Sequence, residues 1–399
     1  MENKSRRVRA FIGVSGCAAL VALGAGAGAF LPGTAEPALA QQQLPAPPAN
    51  GEMGFVFNVF APAIYHGKDD CPNGLAGTVR ENYLATLPAA EQARLNLKEN
   101  EEELTRRWKT WTQGPDKTNI CSNPEMFSRS VQRTVQGKTS YGLNLDGQVN
   151  GAAENGCQHE DFTGVGGEAG VDNQLYRAMG CSRIWRGVEG TTTGEIYTAA
   201  NHSLETGEHT IVMLLRGVDS LKDDDSVEVI LASSDDRPVL DSRRNFIAKA
   251  SFTIASNPRW RNVLKGHIHD GVLTTDPQDI KLNRRQGIGG KRGERAEHDL
   301  RQGRFRLTLK SDGAAEGVLG AYQIPLTLLD SMVFGGSGTA TVAGIDCAAQ
   351  LTTLLKLADG IKDPVSGKCT AVSSALNVAA VPAFVIDRPE LAGKSGAAR

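Results

Sequence analysis

The residues whose types and spacing could do chemistry gather between Cys157 and Cys181, in the run CQHEDFTGVGGEAGVDNQLYRAMGC. Glycines bend this stretch, and Gln158, Glu160, Asp161, Glu168, Asp172, Asn173 and Gln174 load it with oxygens. Calcium takes about six to eight oxygen ligands, so a loop wrapping Asp161, Glu168, Asp172 and Asn173 around one Ca²⁺, with Asp146 as a further donor, is one expectation. The spacing is not that of an EF-hand. A nest of glycine N–H groups could instead hold an anion, against which the carboxylates argue. The plainer alternative is a disulfide-closed loop whose glycines make turns and whose Asp and Asn side chains bond nearby backbone.

A second candidate is His267-Ile268-His269-Asp270. On a strand, residues i and i+2 face the same way, so both imidazoles would project together, as zinc or copper requires. His298, Asp299 or His66 could complete such a set. The alternative is a polar, solvent-facing strand edge with Ile268 and Val272 turned inward. No HExxH pattern is present. Asp223 to Asp225 and Asp235-Asp236 read as hairpin turns that could also hold calcium weakly.

Lys281 to Arg306 carries nine basic residues against three acidic ones. Its GIGGKRG core does not meet the phosphate-loop pattern GxxxxGK[ST], and it lacks the interleaved aromatics that stack on bases. It reads as a solvated hairpin loop or as a contact for an anionic envelope component. Ser337, in GGSG, lacks the GxSxG frame of a nucleophile elbow. A glycosidase-type carboxylate pair is a matter of geometry that sequence does not disclose.

The elements that must position these groups follow from the chain as a whole. Residues 1–40 have the form of an export signal: Lys4, Arg6, Arg7 and Arg9, then an apolar run, then Ala38-Leu39-Ala40. Left uncleaved, the same segment would be a membrane anchor. After cleavage the remaining chain holds 39 basic (43 − 4) against 43 acidic (45 − 2) residues, a net charge of −4. That balance gives no global attraction to nucleic acid or membrane. Export to the periplasm or beyond fits the cysteines, because Cys71, Cys121, Cys157, Cys181, Cys347 and Cys369 make an even set without zinc or haem spacing. Sequential pairing, 71–121, 157–181 and 347–369, is the expectation, each bond closing a local loop.

Residues 41–54 form a Pro/Ala/Gln spacer. Residues 55–190 read as a Cys-containing helical and irregular region: a first strand over 55–64, then a helix over 88–111 with Leu97, Leu104, Trp108 and Trp111 on one stripe. The Trp pair is either core or a stacking platform. Residues 191–330 alternate as strands, most clearly Arg304 to Lys310, and the expectation is a jelly-roll or lectin-like β-sandwich. Residues 331–399 read as a small helical element, with helices over 346–358 and 370–380. The chain is thus expected to be a mainly β, disulfide-stapled, non-catalytic binding protein, with an envelope glycan as ligand and a structural calcium ion. A periplasmic metal-dependent or carboxylate hydrolase is the alternative.

Overall fold

The computed structural model describes residues 44–114, 117–149, 157, 159–187, 194–284, 296–332 and 344–388. Residues 1–40, expected to be an export signal, Gln158, Ser337, and Arg285, Lys291, Arg292 and Arg295 of the basic run lie outside them.

Some strand-forming runs alternate with period 2, as in β7 (Arg261–His269), while others, such as β4 (Thr210–Arg216), are buried almost throughout. Strand β1 (Met53–Pro62) is followed by a long insertion. It holds α1 (Val79–Ala85), α2 (Ala89–Leu95), α3 (Glu101–Trp111), the two-residue strands β2 (Thr139–Ser140) and β3 (Thr163–Gly164), α4 (Gln174–Met179), α5 (Arg183–Arg186) and α6 (Glu195–Glu205). Then come β4 (Thr210–Arg216), β5 (Asp224–Ser234), β6 (Ser251–Thr253), β7 (Arg261–His269), β8 (Val272–Thr275), β9 (Gln278–Arg284), β10 (Ala296–Leu309) and β11 (Ala315–Gln323). Helices α7 (Pro325–Met332) and α8 (Cys347–Lys356) precede β12 (Gly360–Lys362) and β13 (Cys369–Ile386).

Eight of these strands close on themselves. The order is β1-β4-β5-β7-β8-β10-β11-β13, and β13 pairs back to β1, every neighbour antiparallel. This is an up-and-down barrel, not the expected sandwich. Alternation of apolar and polar residues is common to both architectures. Closure rests on the pairing of Phe57 with Ala380 and of Phe60 with Val378, contacts between the two ends of the chain that no local pattern displays.

Side chains fill the barrel interior. Phe55, Phe57, Met213, Val229, Leu231, Leu264, Phe305, Leu307, Leu319, Leu376 and Val378 belong to one buried cluster, with Phe57 and Phe305 stacked at 6.2 Å. Packing of this kind suits an eight-stranded barrel, whose interior is just wide enough for side chains to occupy. A bulge at Asn58 shifts the β1–β13 register between Phe57 and Val59. It thereby turns Phe60 inward on the same side as Phe57, where strict alternation would turn it out. The outward face of β7 carries Lys265, His267 and His269, and that of β10 carries Arg304 and Arg306, in place of the apolar band of a lipid-facing barrel. Among the described residues no helix is long and apolar enough to cross a membrane.

Three further expectations are corrected. Residues 370–380 are strand, not helix: Leu376, Val378 and Ala380 enter the barrel core while Ala371 and Ala375 pack outside it. A strand buried on both faces reads as a continuous run of small and apolar residues, which periodicity cannot tell from a helix. The helix foreseen over 88–111 is broken at residues 96–97, so that α2 and α3 fold against each other. Arg94 and Arg107 each bridge Glu91 and Glu103 across that joint. Finally, the disulfides are Cys71–Cys181, Cys121–Cys347 and Cys157–Cys369, none of them sequential. Each joins segments more than a hundred residues apart, so proximity in the fold chooses the partners. All six cysteines among the described residues form disulfides, as in proteins of an oxidising, extracytoplasmic environment.

Candidate functional site

The glycine- and oxygen-rich stretch packs into the protein as a structural brace. All six residues of α4, GlnLeuTyrArgAlaMet, are buried against the barrel wall and its neighbours. Asn173 caps α4 through its Oδ1, which accepts from the Tyr176 N–H at 3.2 Å, and its Nδ2 donates to Ser140 Oγ and the Tyr141 carbonyl. Ser373 Oγ of β13 accepts from the Gln174 N–H at 2.9 Å. Buried polar groups that are fully bonded in this way fix one arrangement of the parts they join. Glu168 is drawn away to Arg306 of β10 at 3.0 Å. Asp161 stands half-buried where its charge reaches Arg177.

Asp172 does meet Asp146. Its Oδ2 accepts from the Leu145 N–H at 2.6 Å and from the Asp146 N–H at 3.3 Å, holding that turn against the barrel's outer wall. A residue missed in the sequence, Asp359, joins them electrostatically, its Oδ1 accepting from the Ser373 N–H at 2.6 Å. The ring of Tyr322 closes the group and lies so tightly on Gly360 that a Cβ there would sit 2.2 Å from it. Burial pushes both Asp172 and Asp359 up to about 7, and Asp146 beside them adds to the rise. Two such carboxyls could move protons, but one oxygen of each already accepts from backbone N–H groups.

This cluster has a consequence for stability. Each carboxyl holds its proton more tightly in the folded than in the unfolded chain. Between about pH 4 and about pH 7 the native state therefore binds more protons, and stability falls as pH rises. Asp359→Asn keeps an accepting oxygen and removes the charge. Its melting temperature is expected to match the wild type near pH 4, to exceed it by a margin that widens up to about pH 7, and to keep that margin above it. Calorimetry across that range checks this, and a constant gap would show that Asp359 is ionised throughout.

His267 and His269 face outward together from β7, as strand geometry requires. His267 Nε2 lies 2.7 Å from Thr274 Oγ1, and His269 Nδ1 lies 3.1 Å from Asp223 Oδ1. The residues considered for a third ligand are elsewhere. Asp299 pairs with Lys281 and Arg301. His66 feels the charges of Asp70 and Arg186. His298 stacks on His209 at 4.8 Å at the barrel's end, beside a cavity of about 40 Å³ under α6. That volume holds a few waters and no larger ligand. Among the described residues no three His, Cys, Asp or Glu side chains are placed to hold a metal ion.

A roomier opening lies in the helical region beside the barrel. It is a cleft of about 800 Å³ walled by the 74–77 loop, α1, the 129–133 segment, Arg183 of α5 and the start of α8. Trp111, at the end of α3, forms part of its lining, and the Arg129 guanidinium lies 3.5 Å over the indole. Trp111 and Trp108, its neighbour on the helical stripe, both pack against the buried cluster of Tyr83, Leu84, Leu95 and Leu104. Arg133 and Arg183 are exposed at the cleft. Both acidic residues of the lining are engaged. Asp346 caps α8 through the Ala349 N–H and accepts from Asn82 Nδ2 at 2.9 Å, while Glu81 forms a capping box with Thr78 and meets Arg183 at 3.4 Å.

Two disulfides bind these walls together. Cys71–Cys181 ties the loop before α1 to the start of α5, and Cys121–Cys347 ties the approach to the 129–133 segment to α8. Beside the first bridge, buried Asp70 accepts through Oδ2 from the Gly67 N–H at 2.6 Å, Tyr176 Oη at 2.7 Å and Arg186 at 2.5 Å. No signal in the sequence marked this cleft beyond the Trp pair, because its arginines are scattered over fifty-odd positions, two on the 129–133 segment and one on α5.

Compared with protein-family models, with curated proteins and with solved structures, the chain matches none.

Proposed function

We propose that the protein is a non-catalytic binding protein of the periplasm or cell exterior, and that its ligand, a glycan or other envelope component, sits in the cleft beside the barrel. The observation that carries this reading is the bracing of the cleft. Its walls come from six segments, and two disulfides tie them together. Binding sites gain affinity when the walls are ordered before the ligand arrives, and a volume of about 800 Å³ lies in the range of small-molecule sites. The carboxylates lining it, Glu81 and Asp346, serve helix caps, so the cleft supplies binding groups and no evident nucleophile–base pair among the described residues. The packed barrel is then a rigid support. The export signal and oxidised cysteines agree with the compartment.

Ser130 lies exposed in the cleft lining, where a large ring would occupy the opening. Ser130→Trp is expected to abolish binding of envelope-derived oligosaccharides measured by titration calorimetry, with an unchanged melting temperature. Undiminished binding would place the ligand elsewhere.

A further inference from the structure

The charge in the cleft narrows the ligand, on the footing that the cleft is the binding site. Its lining holds three guanidinium groups, Arg129, Arg133 and Arg183, against two carboxylates, Glu81 and Asp346. The carboxylates are turned to intramolecular work. Asp346 receives the Ala349 N–H and Asn82, and Glu81 receives the Thr78 N–H at 2.7 Å. The arginines are less fully used. Arg133 donates through Nη1 to the Leu75 carbonyl at 2.8 Å, and Arg183 meets Glu81 only at 3.4 Å with half of its side chain exposed. Arg129 is pinned flat on Trp111 by hydrogen bonds to the Ser128 and Trp111 carbonyls, and its Nε is 3.9 Å from Asp346. The cleft therefore presents an excess of positive charge, and two exposed forks with donors to spare line it.

From this we infer that the cleft takes a sugar bearing a ring carboxylate, an oligosaccharide of the uronic acid type. Planar guanidinium forks match a carboxylate with two parallel hydrogen bonds, a geometry that favours arginine over lysine. The flat Trp111–Arg129 stack gives a ring something to lie along, and Ser130 offers a hydroxyl beside it. Arg133 and Arg183 grip the carboxylate, while the walls around them meet the neutral ring.

The test compares a uronic acid oligosaccharide with a neutral oligosaccharide of the same ring number, and with a dipeptide that carries a free carboxylate and no sugar. Titration calorimetry uses the disulfide-intact protein. The acidic oligosaccharide is expected to bind at least tenfold more tightly than either comparison, with affinity that weakens as salt rises. Arg133→Ala with Arg183→Ala is expected to lower that affinity at least tenfold, and Arg133→Lys to restore little of it. Both arginines are exposed, so the melting temperature serves as a check that the variants fold. Equal binding of the neutral oligosaccharide, lost in Ser130→Trp, would overturn the acidic ligand and leave the cleft standing as the site. Preference for the dipeptide would overturn the sugar. Binding of the acidic oligosaccharide that survives Ser130→Trp would overturn both the ligand class and the cleft.

Discussion

Replacing Asp70 with Ala is expected to destabilise the protein by about 3–5 kcal/mol, the cost of leaving a buried partner charge without its counterion. Asp70 is almost wholly buried, and one of its oxygens gathers the Arg186 guanidinium, the Tyr176 hydroxyl and the Gly67 N–H. Removing it strands the buried end of Arg186 and the Gly67 N–H, while the Tyr176 hydroxyl keeps the Tyr65 carbonyl as an acceptor at 2.7 Å. The penalty comes from what remains behind, so a paired change should cost far less. Asp70→Leu combined with Arg186→Met is expected to recover most of the loss, since well-packed apolar residues replace buried ion pairs at little cost. Equilibrium unfolding in urea of the single and double variants measures the difference. Equal losses in both would show that the ion pair contributes nothing beyond packing.

The second large effect concerns Cys121–Cys347. Opening this bridge by Cys121→Ala with Cys347→Ala releases a loop of 226 residues. Loop-closure entropy puts the loss at about 5 kcal/mol, toward the upper end of what disulfides contribute. Alanine suits the site because both sulfurs are buried in the cluster with Leu175, Trp185 and Leu351, where a serine hydroxyl would add a cost of its own. The bridge also positions Asp346 and Ala349 on one wall of the cleft. The same variant is therefore expected to weaken ligand binding, at temperatures where it stays folded. Peptide mapping of the unreduced protein should recover 71–181, 121–347 and 157–369. A peptide linking Cys71 to Cys121 would contradict this arrangement, and an unfolding free energy unchanged by the double replacement would deny the bridge its role.

Strands could be read where one face of a segment was apolar and the other wet. Phe305, Leu307 and Leu309 alternate with Arg304, Arg306 and Thr308, and the strand lies where the pattern puts it. The same rule failed at Cys369–Ile386, whose outer face is covered as well as its inner one. The Asp172-Asn173-Gln174 segment misled for a related reason. Polar residues in a glycine-rich run read as a solvent loop, yet these are among the most buried polar groups in the chain, each matched by a partner on a distant segment. Asp359 could not be attached to Asp172 without the fold, and neither could Arg129, Arg133 and Arg183 be assembled around Trp111.

By itself the sequence determined the local and compositional facts: a mainly β chain, strands such as that containing Phe305, Leu307 and Leu309, and cysteines suited to oxidation. These depend on near neighbours and on residue type, which are written along the chain. Tertiary structure alone decided that β1 closes on β13, which cysteines meet, that the part of the Cys157–Cys181 stretch from Gly170 on is a buried brace, and that an arginine-lined cleft lies beside the barrel. Those outcomes rest on contacts between residues from tens to more than three hundred positions apart, and only the free energy of the whole packed chain selects among them.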